Sequence, residues 1–239
     1  MKAFYLNPLL WLLACLTITF TGCKKEDPGT FQEAERSFEL TGFDRVEMGS
    51  AFLIRVQQGT RFSIVAKGDS RNLDDLDVRV INGNLIAEYR NQRNRQYSTS
   101  FDITLPTLQG VNFSGASKAV IKGFDGTNDF VITLSGASKT EVALQTERRL
   151  VRGNLSGASD LLITGRATQV LANLSGASTW RGGGLVSTDV EVEASGASTA
   201  QVSASASLRV SATGASRITY RGNPQLSLSL TGGSTVQAE

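Results

Sequence analysis

From residue 111 onward, apolar and polar residues alternate with a period of two, interrupted at regular intervals by a phrase of four small residues. Immediately before the phrase stand Phe113, Leu134, Leu155, Leu174, Ala194, Ala212 and Leu230, and two residues earlier Val111, Ile132, Gly153, Ala172, Val192, Val210 and Leu228. The residues between these columns are polar: Asn112, Thr133, Asn154, Asn173, Glu193, Ser211 and Ser229. Beyond the phrase the alternation resumes, with Ala119, Thr140, Leu161, Trp180, Ala200, Ile218 and Val236 in one column and Ile121, Val142, Ile163, Gly182, Val202, Tyr220 and Ala238 in another. Alternation on both sides of the phrase predicts two strands per repeat, each burying one face.

The phrase is Ser-Gly-Ala-Ser at Ser114, Ser135, Ser156, Ser175 and Ser195, then Thr-Gly-Ala-Ser from Thr213 and Thr-Gly-Gly-Ser from Thr231. Its starts are separated by 21, 21, 19, 20, 18 and 18 residues. Such a repeat holds two strands of about five or six residues and two bends, but not a strand and a crossover helix. The expected fold is therefore all-β, a single-stranded parallel β-helix or β-solenoid of 18–21 residues per repeat, with residues 111–239 as its seven-repeat body.

The phrase itself reads as the corner of each turn, formed by Gly115, Ser117, Gly136, Ser138, Gly157, Ser159, Gly176, Ser178, Gly196, Ser198, Gly214, Ser216, Gly233 and Ser234. If the alternation runs through it unbroken, both the glycines and the second serines point inward. The glycines would then leave room for the chain to bend. The serines would form an internal ladder, bonded to one another or to corner backbone.

Residues 37–110 also read as strands: Phe52–Val56, Phe62–Ala66, Leu76–Val80, Leu85–Tyr89 and Phe101–Leu105. Asn82-Gly83-Asn84 is a hairpin-type turn signal, and Asp69–Leu76 has room for one short helical turn. Val46-Glu47-Met48-Gly49-Ser50-Ala51-Phe52 looks like a worn copy of the phrase. The 66 residues from Gly49 to Gly115 predict three looser rungs of about 22 that cap the stack.

At the amino terminus, Lys2, the apolar run Leu9–Phe20 and Thr21-Gly22 read as a secretory signal over residues 1–22. The run is about 12 residues, short of the roughly 20 needed to span a bilayer. Phe20-Thr21-Gly22-Cys23 resembles the lipobox of bacterial lipoproteins, with Phe20 where leucine is usual. The only other cysteine, Cys15, lies within the leader, so Cys23 is expected to be the acylated first residue of the mature protein. Residues 23–36 then form a polar, flexible tether; Cys-Lys-Lys-Glu-Asp resembles a signal for the outer leaflet of the outer membrane, the alternative being a tether that holds the domain on the periplasmic side. Loss of residues 1–22 removes Lys2 alone, so the formal charge falls from +2 to +1. That balance makes no general case for nucleic acid or for an anionic membrane surface.

Composition also restricts the chemistry. There is no histidine and, after residue 22, no cysteine except Cys23, which excludes a Ser-His-Asp triad, a Cys-His pair, His-rich metal sites and the structural zinc patterns. Ser117-Lys118 and Ser138-Lys139 are neighbours along a strand and should face opposite ways. Asp125-Gly126-Thr127-Asn128-Asp129 reads as a tight turn, lacking the ligand spacing and distal glutamate of a calcium loop. Trp180 falls in an inward column. No catalytic residue, metal or cofactor is expected. The one basic cluster is Tyr89, Arg90, Arg93, Arg95 and Tyr97, a candidate site for an anionic glycan or phosphate, or else a solvated hairpin tip.

With the lipobox, the worn Met48-Gly49-Ser50-Ala51 copy, the Leu85-Ile86-Ala87 strand after Asn82-Gly83-Asn84 and the Ser-Gly-Ala-Ser series together, the chain from about Phe38 to its end resembles a bacterial lipoprotein family. That family is named putative auto-transporter adhesin, head GIN domain. The resemblance implies a β-helical, surface or envelope protein of adhesin-like type and supplies no catalytic residues; the partner expected besides the membrane is a glycan or protein ligand. The readings that compete with it are a carbohydrate-active lyase or hydrolase on the same scaffold, recognisable by acidic and basic groups converging in one groove, and a structural envelope spacer.

Overall fold

The structure, a computed structural model, describes residues 29–239. The signal sequence, Cys23 and the first part of the tether lie outside the described residues. The strands are β1 (Glu33–Ser37), β2 (Arg45–Met48), β3 (Leu53–Gln58), β4 (Ser63–Asp69), β5 (Leu76–Ile81), β6 (Asn84–Tyr89), β7 (Ser100–Leu105), β8 (Gly110–Phe113) and β9 (Lys118–Phe124). There follow β10 (Phe130–Leu134), β11 (Lys139–Leu144), β12 (Arg148–Leu155), β13 (Asp160–Leu174), β14 (Thr179–Ala194), β15 (Thr199–Ala212), β16 (Arg217–Arg221), β17 (Gln225–Leu230) and β18 (Thr235–Ala238). One short helix, α1 (Ser70–Asp74), follows β4 and is capped by the Asp69 carboxylate, which accepts from the Arg71 N–H.

Like stacks on like, as the period requires. Ile132 pairs with Val111 below and Gly153 above, and Thr140 with Ala119 and Leu161, all in parallel. The chain winds through about six turns in this way. The inward columns form one continuous core in which Phe113, Leu134, Leu161, Trp180 and Ile218 are completely buried. Each such aliphatic or aromatic side chain contributes about 1.5–3 kcal/mol by leaving water. No turn can bury its column alone.

Each turn has two bends of different character. The phrase corner keeps its length and its register from turn to turn. Ala137 N–H donates to Gly115 O at 2.6 Å, and the equivalent bonds at Ala158, Ala177, Ala197, Ala215 and Gly233 are 2.7 Å. The second bend absorbs the variation in repeat length: the register shifts between neighbouring turns fall at Ala143/Leu144, Leu162/Thr164, Arg181/Val186 and Ser187/Asp189, all on that side. This accounts for a repeat that ranges from 18 to 21 residues while its phrase stays fixed.

Three expectations for the corner are corrected. The glycines do not point into the lumen; they are exposed, and the alternation breaks at each phrase because Gly136 and its equivalents adopt φ near +70°. The bend turns the next side chain outward and returns the second serine to the interior. Glycine is required there for a second reason: a Cβ on Gly136 would lie 2.5 Å from Gly115 O in the turn below. The seventh corner glycine is Gly232, with φ 70°, rather than Gly233, which occupies the alanine column. The worn copy is offset by one residue. Met48 pairs with Phe113 and Lys118 N–H donates to Phe52 O, which places Ser50 (φ 59°), not Gly49, in the glycine column and Phe52 in the serine column.

The second serines Ser117, Ser138, Ser159, Ser178, Ser198 and Ser216 are buried, and their hydroxyls bond to corner carbonyls. Ser117, Ser159, Ser198 and Ser216 reach the carbonyl three residues back at 2.7–3.0 Å, while Ser138 and Ser178 reach Phe113 O and Leu155 O of the preceding turn at 3.4 Å. A buried hydroxyl that donates in this way avoids the cost of an unpaired polar group.

The amino-terminal segment contains two rungs, not three. β2 and β3 stack in parallel beneath β8 and β9, and β6 and β7 stack in parallel beneath β2 and β3. Spatial order therefore reverses chain order at this end. Antiparallel β5 covers β6, β4 covers β7, and β1 covers β4, closing the stack with ordinary hairpin pairing. Asn82 (φ 50°) and Gly83 (φ 76°) make the tight β5–β6 turn.

Candidate ligand-binding face and the basic loop

Just before each phrase corner the outward column is polar, and the first serine of the phrase stands half-buried beside it. Across five consecutive turns these positions enclose an open groove of about 500 Å³, lined by Thr133, Asn154, Asn173, Glu193, Ser156, Ser175, Ser195, Ser211 and Thr213 among others. Asn173 Nδ2 donates to Asn154 Oδ1 at 3.0 Å, so the two amides form a ladder with donor and acceptor capacity left over. The hydroxyls of Ser156, Ser175 and Ser195 reach Leu134 O, Leu155 O and Leu174 O only at 3.4–3.5 Å, at the long limit of a hydrogen bond. They are therefore available to a better partner. Because turns stack at about 4.8 Å, the groove offers amide and hydroxyl groups at that interval along its length. The individual columns are legible in the alternation; their merging into a groove is not, since it depends on how far the corner bends away from the preceding strand.

The structure divides the basic cluster. Its loop is the corner of the β6–β7 turn, enlarged where the neighbouring turn has only Gly49-Ser50-Ala51, and a concavity of about 670 Å³ lies between the two. Arg95 belongs to the interior of the loop. It pairs with Asp75, donates to Asn72 Oδ1 and Asn91 O, and lies over the Tyr89 ring at 3.5 Å from the centroid. Burial pushes the Asp75 carboxyl up, but hydrogen bonds from Asn91 and Arg95 and the nearby charges of Arg95 and Arg93 outweigh it, and the net shift is downward. Burial raises the Tyr89 hydroxyl, which donates to Thr99 Oγ1 at 2.7 Å. Tyr97 donates to Gly29 O at 3.0 Å and meets Phe31 edge-on at 5.0 Å. Arg90 and Arg93 alone are on the outside, donating to Asp74 O and Arg71 O.

The remaining polar groups are placed apart. Ser138 is buried while Lys139 is exposed, as are Ser117 and Lys118 respectively, so no serine–lysine pair forms at either place. Asp125–Asp129 lies at the second bend, where Gly126 N–H donates to Thr146 Oγ1 and Asp129 pairs with Arg149. Among the described residues no group of three or more histidine, cysteine, aspartate or glutamate side chains could hold a metal ion. Arg148 is buried beneath this bend at 5.8 Å from the Phe130 ring centroid, with its guanidinium pushed below its ordinary value chiefly by burial. Cys23 lies outside the described residues.

Solved structures with the same architecture extend over nearly the whole domain. A putative adhesin from Bacteroides fragilis matches with a TM-score of 0.77 and 19% identity, covering 88% of this chain and 98% of its own. A putative adhesin from Parabacteroides merdae matches at 0.71 and 14% identity, covering 88% and 98%. A putative lipid binding protein from Parabacteroides distasonis matches at 0.69 and 16%, covering 87% and 96%. These likenesses show the fold. No curated protein matches the sequence. The model of one family matches residues 42–224, most of the described chain and all but the last turn of its solenoid, and the chain is a member of that family, putative auto-transporter adhesin, head GIN domain.

Proposed function

We propose that this protein is a non-enzymatic, adhesin-like component of the bacterial envelope, anchored through acylated Cys23 in the outer membrane, whose groove binds an extended, hydroxyl-rich glycan. The observation that carries this reading is the groove beside the phrase corners, with its Asn154–Asn173 ladder and loosely bonded serines repeating at the stacking interval. A linear polymer with hydroxyls at a similar spacing meets a donor or acceptor at every turn. Within the groove Glu193 is the single carboxylate and no lysine or arginine lines it, so the converging acid and base that glycoside cleavage uses are not assembled there. The names of the family and of two of the structural relatives support the adhesin reading.

The test is a glycan array probed with the mature domain and with a variant carrying Asn154→Ala and Asn173→Ala. The expected result is binding to a restricted set of glycans, weakened at least about tenfold in the variant with an unchanged melting temperature, since both side chains lie on the outer face. Equal binding by the variant would move the site elsewhere, and shortened products from a bound glycan would overturn the non-enzymatic assignment. Acylation is tested separately: radiolabelled palmitate should enter the wild-type protein in cells and not a Cys23→Ser variant.

A further inference from the structure

The chain enters the solenoid at the same end as the basic loop. Gly29 O accepts from Tyr97, Thr30 O accepts from Arg71, and Gln32 N–H donates to Asp69 Oδ2, so the entry point is fixed against the cap. Only residues 24–28 lie between Cys23 and Gly29, a contour of about 20 Å at most. The stack extends the other way, away from the entry point, by on the order of 40 Å.

Charge and polarity at this end are unevenly matched. Asp74 pairs with Arg36, Asp75 with Arg95, and Asp77 and Glu88 share Arg79, whereas among the described residues Arg90 and Arg93 donate only to backbone carbonyls and stand exposed. Beside them Phe31 is 47% exposed, with its ring set against Tyr97. The tether's own charges, Lys24, Lys25, Glu26 and Asp27, cancel. Two cations and an aromatic edge next to a lipid-anchored entry point form the combination that settles at a bilayer interface.

We infer that this end is the foot of the protein, with Phe31, Arg90 and Arg93 seated on the anionic headgroups of the membrane that holds the acyl chain, so that the solenoid stands away from the bilayer. The inference rests on the assignment of Cys23 as the anchor. Each arginine near an anionic surface contributes about a fivefold preference for the seated state, and the two together about thirtyfold. Anchoring converts seating into an intramolecular step, which makes so modest a preference sufficient.

The experiment replaces biological acylation with a chemical anchor. The chain from residue 23, carrying Phe31→Trp, is coupled through its one thiol to maleimide lipids in vesicles of phosphatidylcholine with or without phosphatidylglycerol. Trp180 is fully buried and gives a constant background. Brominated lipids should quench the introduced indole in the anionic vesicles several-fold more than in neutral ones. The difference should vanish in about 1 M salt, where the Debye length is about 3 Å, and in the Arg90→Glu, Arg93→Glu variant checked by circular dichroism. Absence of lipid quenching in anionic vesicles, or quenching indifferent to charge reversal, would overturn the inference. Because coupling is chemical, failure of Cys23 to be acylated in cells would overturn the anchoring assignment while leaving this measurement intact.

Discussion

The indole of Trp180 occupies the space that a Cβ on Gly153 would need, one turn below it and on the opposite arm: an added methyl there would collide with the six-membered ring. Elsewhere the Gly153 column carries Val111, Ile132, Ala172, Val192, Val210 and Leu228. Gly182, two residues after Trp180, is constrained by the five-membered ring of the same indole. The lumen thus keeps its volume by setting one large side chain against two missing ones, as close packing demands. Gly153→Val should destabilise the wild type by about 2–3 kcal/mol through overpacking. In a Trp180→Leu background, where the ring is gone, the same change should be nearly neutral or favourable. Urea denaturation of the four proteins measures the coupling, expected to exceed about 1 kcal/mol; additive effects would refute the volume exchange.

The phrase glycines are held by two constraints, which substitutions at one of them and at Gly123, outside the phrase, separate. Gly123 (φ 81°) has nothing within 4 Å of an added Cβ, so Gly123→Ala should cost only the left-handed backbone penalty, about 1–2 kcal/mol. Gly157 (φ 73°) has Gly136 O 2.5 Å from its would-be Cβ. Gly157→Ala must also push two turns apart and should cost at least about 1 kcal/mol more. Equal losses in melting temperature would mean that the stack yields freely at its corners.

How much of this is legible in the sequence follows from which constraints are local. Alternation and period set the inward columns, and Trp180, Leu134 and Ile218 lie where the pattern puts them. Parity counting misplaces Gly136 because it assumes extended backbone, and a single residue at φ 72° breaks the count. The order of the amino-terminal rungs is not legible at all. Met48 pairs with Phe113 on one side and Ala87 on the other, and nothing in a spacing of residues indicates that the later segment inserts beneath the earlier one. The basic loop shows the same limit. Arg90, Arg93 and Arg95 are equivalent as letters, and only the buried Asp75 decides that Arg95 turns inward.

Acid should unfold the cap through three carboxylates. A hydrogen bond from Arg71 foremost, with further bonds from backbone, holds Asp69 far below its usual range despite burial. Asp102 is lowered chiefly by its bond from Arg55, and Asp75 is lowered by Asn91 and Arg95 against its burial. Each group binds its proton less readily when folded, so in acid the unfolded chain takes up more protons. The stability they confer is complete above the unfolded carboxyl value of about 3.9 and is lost as pH falls through the lower folded values. With no histidine in the chain, the melting temperature should be flat between about pH 5 and 8 and fall below about pH 4. Asp69→Asn should make the acid limb shallower. A steep change between about pH 6 and 8 would contradict the assignment.

The two ends of the stack differ in their protection, which sets where it frays. The amino-terminal end is closed by β1, β4 and β5, whereas β17 pairs with β15 on one side and with no strand beyond it among the described residues. Val210 and Leu228 occupy the same column in successive turns, yet Val210 is 1% exposed and Leu228 46%. Val210→Ala should therefore cost about 2 kcal/mol, and Leu228→Ala less than about 1. In a stack where each turn contacts only its neighbours, a weak last turn opens without the rest. Native-state hydrogen exchange should find the amides of β17 and β18 least protected, with protection rising through β15 to β13. Uniform protection across these strands would show that the solenoid opens only as a whole, and that its bare end is as firmly held as its capped one.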